Sequence, residues 1–447
     1  MIRVIEGDCR EVMATLPERS VQTCVTSPPY FNLRDYQVPG QIGLETTVDE
    51  YVDALVQVFR GVWRVLRDDG TLWLNLGDSY AGSWSGNSMR PNGGTQRPGK
   101  PGFNPLDERY APRSGYTPEG LKPKDLIGVP WRVAFALQAD GWYLRSDIIW
   151  AKLNPMPESV RDRPTKSHEY LFLLAKQPRY YYDAEAIAEP VTASTVARLS
   201  QPTLETQAGS ERVPGKTNGP MKAVPPRFGG AKYGDSGEEQ HRTKSGNAYA
   251  LPNHGRRNAR TVWTIATQPF SEAHFATFPP ALVEPCIKAG TSERGCCPAC
   301  GAPWVRVVER QRTFDGRPFD GGAFNSSTPH RIGPEGVGHY RFATETREAG
   351  WQPGCECSAG DPIPCTVLDP FSGSGTTGVV ARRLGRSYLG IELNREYIEM
   401  SRRRIEEDAP MFNAVDVVPA SCDTTDTDQS GSPDHLLPRQ MTILGTA

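Results

Sequence analysis

The chain has 447 residues, is 37% hydrophobic and 23% charged, and carries a net charge of −2. These numbers suit a soluble core of one large domain or two to three ordinary ones, and they exclude binding to nucleic acid through bulk positive charge. No apolar run reaches the ~20 residues a membrane helix needs, and no leader-like segment precedes the strand-like residues Ile2 to Ile5, so a cytoplasmic protein with no membrane partner is expected.

In chain order, "RVIEG" and "VQTCVTS" read as strands. "VDEYVDALVQVFRGVWRVLRDDG" places Tyr51, Leu55, Val58, Val62 and Val65 at helical spacing and is expected to run as a helix to Gly70. "TLWLNLGD" is a strand, residues 81–124 a long loop rich in turn formers, and "LIGVPWRVAFALQADG" a helix followed by the strands "YLRSDIIWAK" and "SHEYLFLLAK". Between 180 and 262 the periodicity fades. It returns in the helix "FPPALVEPCIKAG", and then in the strand "TVLDPF", the helix "GTTGVVARRLG", the strand "SYLGIEL" and the helix "REYIEMSRRRIEE". This alternation implies an α/β fold, doubly wound, with a mainly parallel sheet covered on both faces. Residues 410–447 read as a disordered acidic tail.

Charge is unevenly spread. Residues 151–260 hold 17 Lys and Arg against 11 Asp and Glu, whereas 405–447 hold one against eight. A basic middle is the footprint of a phosphate-binding face, although a solvated linker has the same composition.

Two stretches carry chemistry. "TSPPY", residues 26–30, ends a buried strand with two prolines and then presents a ring; a plain strand terminator would use the same prolines. "VLDPFSGSGTTG" is a strand, an acidic tip, a glycine turn and a helix start, and a second strand ends in Glu392. In open α/β sheets such a turn, with an acidic residue about 20 positions on, binds a nucleoside, its glycines (Gly373, Gly375) letting the ligand approach and Glu392 accepting ribose hydroxyls. No lysine precedes Thr376-Thr377, so this is no phosphate-cradling loop. Asp369 would repel a pyrophosphate and attract a cation, which favours S-adenosylmethionine over a dinucleotide.

Together, Ser27-Pro28-Pro29-Tyr30, Asp369-Pro370-Phe371-Ser372-Gly373-Ser374-Gly375-Thr376-Thr377 and Gly390-Ile391-Glu392 resemble the amino-group DNA methyltransferases of the β group, which modify N4 of cytosine or N6 of adenine. "GDCREVMATLP" and "HFATFPPALVEPCIKAG" are similar to that group as well, and the likeness spans most of 1–180 and 263–408. It implies a seven-stranded Rossmann-like methyltransferase sheet. Residues 1–179 would form the catalytic half, 180–262 a variable target-recognition region, and 263–294 with 359–409 the cofactor half. It implies double-stranded DNA as substrate, base flipping, a monomer or homodimer, and a restriction endonuclease as possible partner. Asp369, Pro370, Phe371, Gly373, Ser374, Gly375, Thr376, Thr377 and Glu392 would hold the cofactor; Asp8 either contacts its adenine or caps a helix. Ser27 and the Pro28 carbonyl would accept the target amino hydrogens, Pro29 would stiffen the turn, and Tyr30 would stack on the extruded base. Serine in the first position usually accompanies cytosine in this family. Arg256, Arg257 and Arg260 are candidates for phosphate contacts. RNA or a protein amide as substrate, or a DNA-binding protein with an inactive domain, are the competing readings.

Of ten cysteines, four form a metal pattern. Cys297, Cys300, Cys355 and Cys357 are expected to close a structural zinc site in a zinc-ribbon-like insertion at 295–358, with Cys296, His330 and His339 as weaker alternatives. Carbon methylation would need a nucleophilic thiol, yet Cys286 and Cys365 read as buried structural residues.

Overall fold

The computed structural model describes residues 1–36, 38–82, 117–194, 256–268, 278–318, 340–408 and 415–419. The centre of the variable region, most of the 81–124 loop, His330, His339 and most of the acidic tail lie outside these residues.

The chain runs β1 (Ile2–Glu6), α1 (Cys9–Thr15), β2 (Val21–Thr26), α2 (Val48–Val65), β3 (Leu66–Leu76), α3 (Val129–Ala139), β4 (Tyr143–Lys152) and β5 (His168–Ala175). It continues through β6 (Glu189–Pro190), β7 (Arg256–Arg257), β8 (Val262–Ile265), α4 (Pro280–Gly290), β9 (Val305–Pro318) and β10 (Tyr340–Gln352). The last elements are β11 (Thr366–Asp369), α5 (Thr376–Arg383), β12 (Ser387–Glu392), α6 (Arg395–Asp408) and β13 (Asp416–Pro419).

Nine strands form one sheet in the order β13-β1-β12-β11-β2-β3-β5-β4-β8. Only β5 runs against the others, pairing antiparallel with β3 and β4. The expected seven strands are thus joined by β8 and β13. β13 corrects the expectation of a tail disordered throughout: Asp416–Pro419 pairs parallel with β1, and Arg3 holds Asp416 at 3.1 Å.

Alternation along each strand feeds two cores. Leu72, Leu74, Leu76, Phe172 and Leu174 pack against α1, α2 and α3, while Trp73, Leu171 and Leu173 pack against α4, α5 and α6. This period of two is what a sheet covered on both faces requires. The helix expected to reach Gly70 instead stops at Val65, and Leu66 is already paired with Val21. Arg67 to Gly70 form a bulge between that pair and Thr23–Thr71, because Lys176 holds both the Leu66 carbonyl (2.9 Å) and Asp68 (3.0 Å) from the neighbouring strand end.

Candidate active site

The pairs Val367–Thr23 and Leu368–Cys24 set β11 beside β2, so the carboxyl ends of the two strands, Asp369 and Thr26, are neighbours. Here the strand order reverses, the place where open α/β sheets bind ligands. The Thr26 hydroxyl donates to Asp369 Oδ1 at 2.7 Å, joining two motifs that lie 343 residues apart.

Asp369 is 1% exposed. Burial pushes its carboxyl up to about 6, against the Thr26 hydroxyl and the Phe371 amide, which favour the anion. Glu392, at the end of β12, accepts from the Gly373 amide at 2.7 Å and the Asn394 amide at 2.9 Å. Burial raises it to about 7 despite those two donors. Two carboxyls held above their ordinary range form a site that a cation with hydroxyl donors would relieve.

The rest of the turn is braced from within. Arg404 donates to Ser374 Oγ and Thr376 Oγ1, both at 2.9 Å, Tyr388 donates to Ser372 Oγ, and Thr377 donates to the Val25 carbonyl. Gly375 was expected to admit the ligand, but its missing side chain admits α6 instead: it has φ +74°, and a Cβ there would stand 2.8 Å from Ser401 Cβ. At Gly373 (φ +51°) a Cβ would meet the Phe371 carbonyl at 3.8 Å, an ordinary contact. Pro370 is buried after the strand end and Phe371 packs against the first core. Asp8 sits at the N-cap of α1, where it accepts from the Arg10 amide at 2.8 Å and pairs with the Arg10 guanidinium, which holds its carboxyl below the usual range.

On the other side of the junction, Ser27 Oγ donates to Asn75 Oδ1 at 3.3 Å. Asn75 is oriented by its own amide, which donates to the Tyr170 carbonyl at 3.1 Å. With its proton turned toward Asn75, Ser27 is left with lone pairs as its free valence, the state an acceptor needs. The Pro29 carbonyl takes the Tyr51 hydroxyl at 2.8 Å, which anchors the turn after Pro28. The Tyr30 hydroxyl donates to Glu169 Oε2 at 2.7 Å, and Lys152 holds Glu169 Oε1 at 2.5 Å. Burial, then Glu169, raises the Tyr30 phenol well above its ordinary value, so it remains a donor. A Cβ at Gly77 would lie 2.4 Å from Tyr30 Cε2, so only glycine lets the ring rest there.

Asn75, Lys152 and Glu169 were not singled out in the sequence. The signal available was the polar pair His168-Glu169 opening the apolar strand "LFLLA".

Arg256, Arg257 and Arg260 are each engaged within the chain. Arg256 donates to the Ala188 carbonyl at 2.6 Å, and Arg257 and Arg260 share Glu189, each at 3.1 Å. They fasten the two ends of the 191–255 segment to each other.

Cys297, Cys300, Cys355 and Cys357 converge with their sulfurs within 4.8 Å of one another. Sulfurs bound at about 2.3 Å to one tetrahedral zinc would stand about 3.8 Å apart, so the set fits that ion with a small contraction. The 297–300 turn folds on itself through Gly301 N–H to Cys297 O and Cys297 N–H to Ala302 O, both at 2.8 Å. Amides of Cys300 and Ala299 favour the Cys297 thiolate, lowering it to about 7. Cys296 stands apart, bridged to Ile363. Gln22 donates to the Gly301 carbonyl at 3.0 Å and Arg67 to the Cys300 carbonyl, so the cluster docks at the amino end of β2, about 13 Å along the strand from Thr26.

Residues 21–297 and 365–403 match the model of the family described as DNA methylase, and the match breaks across the cysteine-bearing hairpin. The Type II methyltransferase M.Cfr9I of Citrobacter freundii is 38% identical over 403 residues, covering 90% of this chain and 87% of that protein. The Type II methyltransferase M.SmaI of Serratia marcescens is 36% identical, covering 90% of each. Among solved structures, a putative DNA modification methylase of Thermus thermophilus complexed with S-adenosyl-L-methionine is 17% identical, with a TM-score of 0.42, covering 94% of this chain and 98% of that one.

Proposed function

The chain belongs to the DNA methylase family and is a methyltransferase by that membership; on that premise we propose that it transfers the methyl group of S-adenosylmethionine to N4 of cytosine in duplex DNA, at one specific sequence. The observation that supports this reading is the Thr26–Asp369 bond, which joins the strand end before Ser27 to the strand end before the glycine turn.

In this reading Asp369 faces the cationic end of the cofactor and Glu392 accepts its ribose hydroxyls. The extruded base lies on Tyr30, and its amino hydrogens point to Ser27 Oγ and the Pro28 carbonyl. Holding both hydrogens in place draws the nitrogen toward tetrahedral geometry and frees its lone pair. Bound S-adenosylmethionine would supply a methyl group on a sulfonium; the freed lone pair would take that methyl as the sulfonium leaves as a neutral thioether, and the nitrogen would give up its extra proton to water. No covalent enzyme intermediate is needed. Carbon methylation is disfavoured because Cys286 lies fully buried within α4, its thiol raised well above its ordinary range by burial.

Cys297, Cys300, Cys355 and Cys357 would hold one structural zinc ion, which would fix the hairpin and supply no chemistry. A restriction endonuclease that cuts the same sequence would be its partner. The test is to incubate the protein with DNA and methyl-labelled cofactor, digest the DNA and identify the labelled nucleoside. N4-methylcytosine is expected. N6-methyladenine would overturn the base assignment and keep the mechanism, whereas 5-methylcytosine would overturn both.

A further inference from the structure

The loop from Lys152 to His168 leaves the sheet at the same edge as Tyr30 and is unusual in what it exposes. Leu153 is 66% exposed and Met156 is 84% exposed, with Pro155 and Pro157 on either side of the methionine. Apolar side chains on a loose loop would be unremarkable, but this loop is pinned. Asn154 exchanges hydrogen bonds with Thr267 beyond β8 (Thr267 N–H to Asn154 Oδ1, 2.8 Å). Arg163 pairs with Glu158 at 2.7 Å, and its guanidinium covers the Tyr80 ring at 3.8 Å. Lys166 donates to the Asp78 carbonyl, while Asp78 Oδ1 accepts the Gly128 and Val129 amides at the start of α3. The root of the loop is Lys152, bound to Glu169, which holds the Tyr30 hydroxyl.

We propose that Leu153 and Met156 form a rigid apolar ridge that enters the DNA stack beside the target and occupies space left by the extruded base. The inference rests on the DNA-methylating reading above and extends it to the step before chemistry. Duplex DNA fits this surface by charge: between 152 and 166 the chain has four basic and two acidic residues, and Arg161 is exposed. An apolar wedge lowers the cost of an unstacked base step by replacing its stacking contacts. Prolines and braces on both sides hold the ridge in shape, so little order has to be gained on binding.

The ridge is tested on duplexes that carry the site read from plasmid DNA modified by the wild-type protein. Single-turnover transfer of labelled methyl to DNA is counted whatever base receives it. One duplex has the target base paired; in a second the target faces an abasic position and is already loosened. The double variant Leu153→Ala with Met156→Ala is expected to lose roughly tenfold in rate on the paired duplex and less than about twofold on the abasic one, the scale set by unstacking a base. Met156→Leu, which keeps the apolar bulk, is expected to stay near wild type on both. Equal losses on the two duplexes, an unchanged rate on the paired one, or loss of cofactor affinity in the double variant would each overturn the proposal. A wild-type protein that labels no DNA would instead contradict the function proposed above, and the labelled-nucleoside experiment reads that outcome separately.

Discussion

The two ends of the central sheet are built on opposite terms. At the carboxyl ends of β2, β11 and β12, polar groups are held in states that cost stability: Asp369 is buried and Glu392 half-buried, raised to about 6 and about 7, and a phenol is tied to a carboxylate. At the amino end of β2 the polar groups close on one another, as Gln22 and Arg67 clasp the cysteine turn and Gln22 Oε1 also takes the Thr366 amide at 2.6 Å. One end stores unfavourable electrostatics for a ligand to relieve, and the other is already satisfied. Substitutions at the first should therefore change function with little loss of stability, and substitutions at the second should do the reverse.

The largest separation is expected from Asp369→Asn. Removing the charge proposed to face a cationic ligand should weaken cofactor binding by roughly tenfold to a hundredfold, the range for hydrogen bonds to charged groups. The cofactor-free protein should melt no lower at pH 8, since the buried carboxylate is the costly form there. Calorimetric titration and thermal melting check the pair, and a variant that binds normally but melts early would invert the comparison.

Cys355→Ser with Cys357→Ser should release the metal entirely, from one equivalent per chain to none, and lower the melting temperature. The methyl-transfer rate at 25 °C should remain within about twofold of wild type for the fraction still folded, because the site is a strand length away. Metal analysis of protein prepared without chelator, followed by rate measurement, tests both halves.

Glu169→Gln should keep a hydrogen-bond partner for Tyr30 but loosen the Lys152 clamp. A loss of about tenfold in kcat/KM for DNA with unchanged cofactor affinity is expected, the cost of one charge-assisted bond. Loss of cofactor affinity would place Glu169 on the other half of the site.

The smallest effect is in pH. Both carboxyls have folded-state values above the ~4 of an unfolded chain. Their contribution to the cofactor-free fold is therefore fully present below pH ~4 and is lost as pH rises through about 6 and about 7. A cationic cofactor prefers the ionised forms, so its affinity should rise severalfold through the same window, and binding near pH 6.5 should release protons. Titrations in buffers of different ionisation enthalpy would show this; buffer-independent heats at pH 6.5 would contradict it.

The same contrast explains what could be read from the chain alone. The strand ends at Thr26, Asp369 and Glu392 and the cysteine pairs each announce themselves within a dozen residues, because turn formers and ligand spacing are local signals. Glu169 and Asn75 do not, since their role arises only when β5 is inserted antiparallel beside β3 and sets Leu171 opposite Asn75. Nor could the chain alone show that Arg257 and Arg260 share the carboxylate of Glu189, which lies about seventy positions earlier. The packing of Gly375 on Ser401 of α6 leaves no local trace either.

The central claim is that Ser27 acts on the transferred amino group and Asp369 on the cofactor, as separable halves of one junction. The most direct measurement is single-turnover methyl transfer by Ser27→Ala beside its equilibrium cofactor affinity. The rate should fall by roughly tenfold to a hundredfold, the loss of one acceptor that matters most in the transition state, while the cofactor dissociation constant stays at the wild-type value. A wild-type rate, or a rate that falls only in proportion to lost cofactor binding, would contradict the account.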